Sequence, residues 1–451
     1  MGELLPELEA ATLRRVTRRL IPFMFVLYIA NFLDRVNVSF AALQMNRDLG
    51  FSSAAYGLGA GVFFLGYCLF QVPSNLVLAR VGARRWIGGI MIVWGVIASA
   101  TMLVRGIGSF YALRALLGVV EAGFFPGMIL YLTYWFPAVQ RARAVAGFMT
   151  AIPISGVVGG PLSGALLGLN GVAGLAGWQW LFLLEGLPSG LLGAAALWYL
   201  TDRPADAAWL PADGRAWLSE RLQQEQARTA GMHPTRLRQA LLSGVVWQLG
   251  LLYFLIIVGL YGQGLWLPQI IKGSSQLSDF AVGLLSAAPA LAAAVAMVAV
   301  AAHSDRTRER HLHVAAPLVA GAIGFAATAA TLETPLLATA ALSLSAIGFT
   351  SALGPFWTLP TTFLSGAAAA GGIALINSLG NVAGFAGPYL VGLVKDATGG
   401  YAGALLTFGV LMLAGAALAL ALRPRLRLGR PMPRSAAGAE PSSPARTQTR
   451  A

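Results

Sequence analysis

Long apolar runs, broken at intervals by short clusters of charged and turn-forming residues, set the pattern of this 451-residue chain. None shows the alternation of a lipid-facing strand, and each approaches the roughly 20 residues that carry a helix across a hydrocarbon core of about 30 Å. The pattern predicts twelve membrane-spanning helices, near residues 20–43, 57–79, 86–104, 109–135, 144–169, 178–200, 243–271, 281–302, 312–331, 335–359, 370–393 and 401–422. The first is too long and too charged to be a removable signal segment. The longest polar interruption divides the helices six and six. The expected organisation is an all-α membrane protein: an N-terminal six-helix half (1–200), a cytoplasmic linker loop (201–242), a C-terminal six-helix half (243–422) and a disordered cytoplasmic tail (423–451). Inside the linker, Trp217, Leu218 and Leu222 beside Glu220, Arg221 and Glu225 predict a short amphipathic helix on the cytoplasmic surface.

The two halves also repeat. ARVGARR (79–85) follows the second helix and SDRTRER (304–310) the eighth, with Arg80 and Arg306 offset by 226 residues. GVVGGPLSG (156–164) on the fifth helix answers GFAGPYLVG (384–392) on the eleventh, and Pro161 and Pro388 are offset by 227. Two markers with nearly one offset imply duplicated halves related by an axis along the membrane normal, a build common among secondary transporters whose substrate site lies between the halves.

Composition agrees: 57% of residues are hydrophobic and 11% charged. The net charge of +13 resembles a nucleic-acid footprint until its placement is counted. Of 31 Lys and Arg, 25 fall in the two tails and the connections after even-numbered helices, which by the positive-inside rule puts both termini and the 201–242 loop in the cytoplasm. The basicity is topological and implies no nucleic-acid partner. Two lysines against 29 arginines point to a GC-rich bacterial source, hence a multi-pass protein of the bacterial inner membrane. Cys68 is the only cysteine, so neither an intrachain disulfide nor a thiolate metal cluster is available.

Few full charges lie within the spans: Asp34 and Arg35 on the first helix, Arg114 and Glu121 on the fourth, and Glu185 on the sixth. Charge at membrane depth is costly and usually faces an internal cavity or pathway. One reading has the arginines pairing with the acids only to hold helices together. The other makes them a site. Asp34 and Arg35 point about 100° apart on a helix, so one of them, more naturally Asp34, must face a neighbouring helix. Arg114 and Glu121 share a face, with Gly118 leaving an open notch between them. Both arginines fall in the outer-to-central region, where their planar forks suit the carboxylates of one organic anion. Glu121 is the acid whose protonation can respond to an occupied arginine.

Softer signals surround these. Tyr28, Asn31 and Arg35 form one stripe, and Asn377 and Asn381 another, fitting either a cavity or helix-to-helix hydrogen bonds. Tyr67, Phe356 and Trp357 suit a cavity wall or interfacial anchoring. All four histidines fall in or beside the cytoplasmic loops, which leaves carboxylates as the intramembrane proton carriers. Glu185, in LFLLEGLP, reads first as a packing residue. No P-loop and no H-E-x-x-H motif occurs, so the chain carries neither an ATP site of that kind nor a metalloprotease site.

The stretches LDRVNVSFAALQMNRDLG, FFLGYCLFQVPSNLVLARVGARRW, ALRALLGVVEAGFFPGMILYLTYWFP and INSLGNVAGFAGPYLVG resemble the major facilitator superfamily, and within it the anion:cation symporter family of tartrate, sugar-acid and phthalate transporters. The resemblance covers essentially the whole chain. It implies alternating access around a central site, with Asp34, Arg35, Arg114 and Glu121 in carboxylate binding and proton coupling, and Tyr67, Trp357 and Asn377 in the wall. The superfamily's loop motif G-x-x-x-D-R-x-G-x-R-[RK] is kept at Arg80, Gly82, Arg84 and Arg85, whereas Asn75 and Ala79 replace its Gly and Asp. The repeat retains Asp305 and Arg306.

The function expected is import of a small organic anion, tartrate-like or a sugar acid, with a co-transported proton, by a monomer that is no enzyme and needs no cofactor. Sodium coupling or exchange of an aromatic carboxylate is the alternative among transporters. A membrane sensor that binds the anion without turnover is the alternative outside them.

Overall fold

The structure, a computed structural model, describes residues 4–229, 242–273, 275–360 and 366–428, and those residues form a bundle of helices without strands. The N-terminal part contains α1 (Leu4–Asp48), α2 (Ser53–Val81), α3 (Ala83–Ala100), α4 (Ile107–Glu121), α5 (Phe124–Thr133), α6 (Ala138–Met149), α7 (Ala151–Leu167) and α8 (Gly177–Tyr199). After α9 (Ala212–Thr229) come α10 (Gly244–Gly273), α11 (Asp279–Thr307), α12 (His311–Ala330), α13 (Pro335–Thr358), α14 (Gly366–Thr398) and α15 (Ala402–Leu428). Eleven stretches among the described residues are long and apolar enough to cross a bilayer, and the span expected at 370–393 lies within α14. The tail beyond Leu428 lies outside the described residues.

Two departures from the expected spans have local causes. The first helix starts at Leu4, well before residue 20, and runs unbroken through the basic turns at residues 14–19 and past Pro22 into the apolar run. Arg19 there lies over the rings of Tyr199 and Trp209, at 4.5 and 5.0 Å, so its charge stays near the bundle end while its stem is covered. The fourth span is two helices, α4 and α5, parted at Ala122 and Gly123. Pro126 has no N–H to offer the Ala122 carbonyl, so the helix is interrupted one residue after Glu121.

The linker helix α9 forms over the predicted residues, but its apolar side turns inward. Leu218 and Leu222 are buried in the protein, α9 packs on α1, and Arg141 pairs with Glu225 at 3.6 Å. Its hydrophobic residues therefore anchor the linker to the bundle and do not lie along a membrane surface.

The halves meet along two seams, α2 against α14 and α7 against α11. Glycine makes both possible. A methyl on Gly57 would strike the Pro388 carbonyl, one on Gly392 the Ser53 carbonyl, and one on Gly160 or Gly283 the carbonyl of the other. At the distal end, opposite the start of α1 and the end of α15, the seams are closed by hydrogen bonds. The Asp396 carboxylate accepts from the Ser53 and Ala54 amides at 3.0 and 2.7 Å, capping α2 from the opposite half. Gln44 donates across to Asp279 at 2.8 Å and the Tyr56 hydroxyl to the Leu265 carbonyl at 2.7 Å, while Lys272, of the same half as Asp279, pairs with that carboxylate at 3.0 Å. Asp396 lies beyond the apolar span. Its slight burial works to raise its pKa, but the Ala54 and Ser53 amides and the Ser52 and Ser53 side chains hold the carboxyl below its ordinary value.

Candidate functional site

Three of the charged side chains singled out in the sequence, Arg35, Arg114 and Glu121, converge inside the bundle, and their partners differ in kind. Arg35 donates to Glu121 Oε2 at 3.0 Å, and Asn31, one turn earlier on α1, donates to the same oxygen at 2.8 Å. Glu121 is fully buried and its Oε1 has no partner among the described residues. Arg114 is 2% exposed, and among the described residues neither its Nε nor its Nη2 has a hydrogen-bond partner. A buried guanidinium with unsatisfied donors is a strong acceptor-seeking group, because each unpaired donor retains the full cost of leaving water.

The aromatic floor of the site is Phe63. The Arg114 and Arg35 guanidiniums lie 5.0 and 5.4 Å from its ring centre, and Arg35 also lies 5.0 Å from Tyr67, one turn further along α2. One ring thus serves both cations and holds them near each other. Gly118 corrects an expectation here. A methyl at Gly118 would strike the Phe63 carbonyl, so the glycine is not an open notch; it lets α2 approach α4 closely enough to bring Phe63 between the arginines.

Asp34 faces away from this cluster. Its Oδ2 accepts from Trp94 Nε1 on α3 and Ser189 Oγ on α8, both at 2.6 Å, and its Oδ1 from Asn37 at 3.4 Å. Nearby on α8, Glu185 Oε1 accepts from Ser163 of α7 at 2.8 Å, while Oε2 has no partner.

The remaining predicted residues are dispersed around this centre. The Tyr28 ring packs among Phe124, Phe125 and Phe148 inside the N-terminal half. Trp357 makes an edge contact with Tyr253 at 4.8 Å, and Phe356 stacks on the same tyrosine. Asn377 and Asn381 are half-buried on α14. Three aromatic residues escape notice in the sequence: Phe63, Tyr253 and Tyr261, which packs on Phe64 at 4.3 Å. The spacing of Phe63 and Tyr67 by one helical turn is a signal for the first, but in an apolar helix it is shared with ordinary packing residues.

At the proximal end, Gly82 joins α2 to α3 with φ +94°, a conformation in the left-handed region that favours glycine. The motif's missing acid has a substitute from another element. Asp202, after α8, lies against Gly82 and accepts from the Arg84 amide at 2.8 Å, supplying a carboxylate at the start of α3. Arg80, Arg84 and Arg85 are exposed. In the repeat, Asp305 pairs with Arg310 at 2.6 Å, and Arg306 is exposed.

Residues 24–388 match the Major Facilitator Superfamily profile. The chain belongs to that superfamily. Over 422 residues it is 50% identical to a protein of Agrobacterium vitis named "Putative tartrate transporter", covering 92% of this chain and 95% of the relative. It is 44% identical to "Putative metabolite transport protein NicT" of Pseudomonas putida, over 91% of this chain and 94% of that protein. Among solved structures, a bacterial homolog of the human lysosomal transporter Spinster, inward-facing and unoccupied, superposes with a TM-score of 0.79 at 17% identity, covering 93% of this chain and 99% of that one. As a member of the Major Facilitator Superfamily, the protein is a multi-pass membrane transporter and not an enzyme.

Proposed function

We propose that this major facilitator protein imports a small organic anion, tartrate-like or a sugar acid, together with a proton, by alternating access. The observation that carries the reading is the asymmetry of the two buried arginines: Arg35 is engaged by Glu121, whereas Arg114 has two donor nitrogens without partners. With Glu121 ionised, Arg35, Arg114 and Glu121 together carry one positive charge and suit one carboxylate. Protonating Glu121 releases Arg35 and leaves two guanidinium forks for the two carboxylates of a dicarboxylate. Anion and proton then favour each other's binding at one site. A membrane potential of about 100 mV opposes entry of each negative charge by about 2.3 kcal/mol, and a co-entering proton offsets it.

The names of the relatives support the substrate class, and the charge bias of the loops supports an inner-membrane setting with both termini cytoplasmic. In that orientation the distal hydrogen bonds close the outer side and access is from the cytoplasm. The moving bodies are the six-helix halves 1–200 and 243–422, joined by the linker loop 201–242 and working as a monomer. Tyr67 and Trp357, with Asn377 and Asn381, wall the path between them, and the Arg80–Arg85 and Asp305–Arg306 loops lie where the cytoplasmic ends separate and rejoin.

Reconstituted protein tests this with labelled L-tartrate. Wild type is expected to show counterflow and accumulation driven by an inward proton gradient. Glu121→Gln keeps counterflow and loses gradient-driven accumulation. Binding of tartrate without any exchange of label would instead identify a sensor, and full gradient-driven uptake by Glu121→Gln would remove Glu121 from proton coupling.

A further inference from the structure

The Asp34 and Glu185 carboxyls lie apart from the arginine cluster, inside the N-terminal half, and the anion-binding reading does not use Glu185. Glu185 is 5% exposed on α8. Ser163 of α7 donates to it at 2.8 Å, and among the described residues Oε2 is unpartnered. From α1 the groups acting on Glu185 are Asp34 and Asn37, and no cation is among them. On α3 the polar groups on this side are Trp94, which is held by Asp34, and Ser99, whose hydroxyl has no partner. The charged groups acting on Asp34 are Glu121 and Arg114, both of α4.

The two seats differ. Asp34 collects donors from Trp94, Ser189 and Asn37, an arrangement that suits an anion. Glu185 has the Ser163 hydroxyl, the nearby Asn37 amide and an open oxygen, fewer donors than Asp34, so an ionised Glu185 would be a poorly solvated charge at membrane depth. Asn37 is within reach of both. Its Nδ2 donates to Asp34 Oδ1 at 3.4 Å, its side chain also acts on Glu185, and Ser189, which donates to Asp34, stands one helical turn from Glu185 on α8. An amide presents a donor on one side and an acceptor on the other, so by turning over it can serve an ionised and a neutral carboxyl in either order.

We propose that Glu185 is a proton-carrying residue of the transport cycle, paired with Asp34 through Asn37 so that the two carboxyls load and release a proton as one unit. Loading forms one O–H bond on the ionised member and takes the pair from one negative charge to none; release to solvent reverses it, with no other reactant. Asp34 adjoins Arg35 on α1, so the charge of the pair changes the field at the anion site. The inference rests on proton symport as the function, but Glu185 can be examined without it.

The test is pH-difference infrared spectroscopy of the purified full chain, following the C=O band of protonated carboxyls, alongside proteoliposome uptake of labelled L-tartrate. Glu185→Gln is expected to remove one titrating carboxyl band, keep tartrate counterflow within about twofold, and lower accumulation driven by a gradient of one pH unit about tenfold, the factor that one lost coupled proton carries. Ser163→Ala leaves the carboxyl in place and removes a donor from its ionised form, so the band's midpoint should move while the band persists. An unchanged set of titrating bands in Glu185→Gln, or in Ser163→Ala if the first variant does not fold, overturns the proposal and makes Glu185 a fixed hydrogen-bonding group. Loss of the band with undiminished accumulation also overturns it. Wild type that shows the band but no proton-driven uptake would sink the symport reading separately.

Discussion

Arg114 and Arg35 share the Phe63 ring, yet of the two only Arg35 has an acidic partner within bonding distance among the described residues. If Arg114 grips a carboxylate through its fork, charge alone will not replace it. Arg114→Lys is expected to raise the half-saturating tartrate concentration in counterflow by at least about tenfold, or about 1.4 kcal/mol. An unchanged value would mean that Arg114 acts at a distance and makes no direct contact. The charged members of this cluster are legible in the sequence because a full charge within an apolar run is conspicuous. Phe63 is not legible: an aromatic residue among Val, Phe and Leu looks the same whether it packs on lipid, on a helix or on a guanidinium. Gly118 is visible but easily misread, since an absent side chain leaves open what fills the space, and here the filler is the backbone of another helix.

The helices themselves follow closely from hydrophobic run length, whereas their interruptions depend on single residues whose effect is felt a turn earlier, as with Pro126 and the Ala122 carbonyl. End contacts between distant helices are harder still, because no local pattern announces that Asp396 of α14 caps α2 or that Asp202 serves α3. The Asp396 cap carries a prediction. Its carboxyl is held below the ordinary value in the closed arrangement, so its contribution is complete above the usual aspartate range near about 4 and fades as pH falls through it. Acidification below that range should therefore favour separation of α2 from α14, and Asp396→Ala should show the separated form already at neutral pH with little further response to acid. Distances between spin labels on the distal ends of α2 and α14 report it. A closed distance distribution in Asp396→Ala at every pH would show that the glycine seams hold the end shut unaided.

Across the whole molecule, the duplicated halves are readable from two markers with nearly the same offset, because duplication preserves sequence spacing even where individual residues drift. How the halves touch is not readable, since the seams are made largely of backbone. At Gly160 and Gly283 the two halves meet carbonyl to Cα, with no room for a methyl on either side. A surface built this way has almost no rotamers to freeze when it closes and none to release when it opens. It also means that a single methyl is a wedge. Gly160→Ala should hold the distal end ajar, which labels on α7 and α11 would register as a longer distance, and so convert a transporter that visits several shapes into a reagent that displays one of them, suited to raising binders that recognise only the outward-open form.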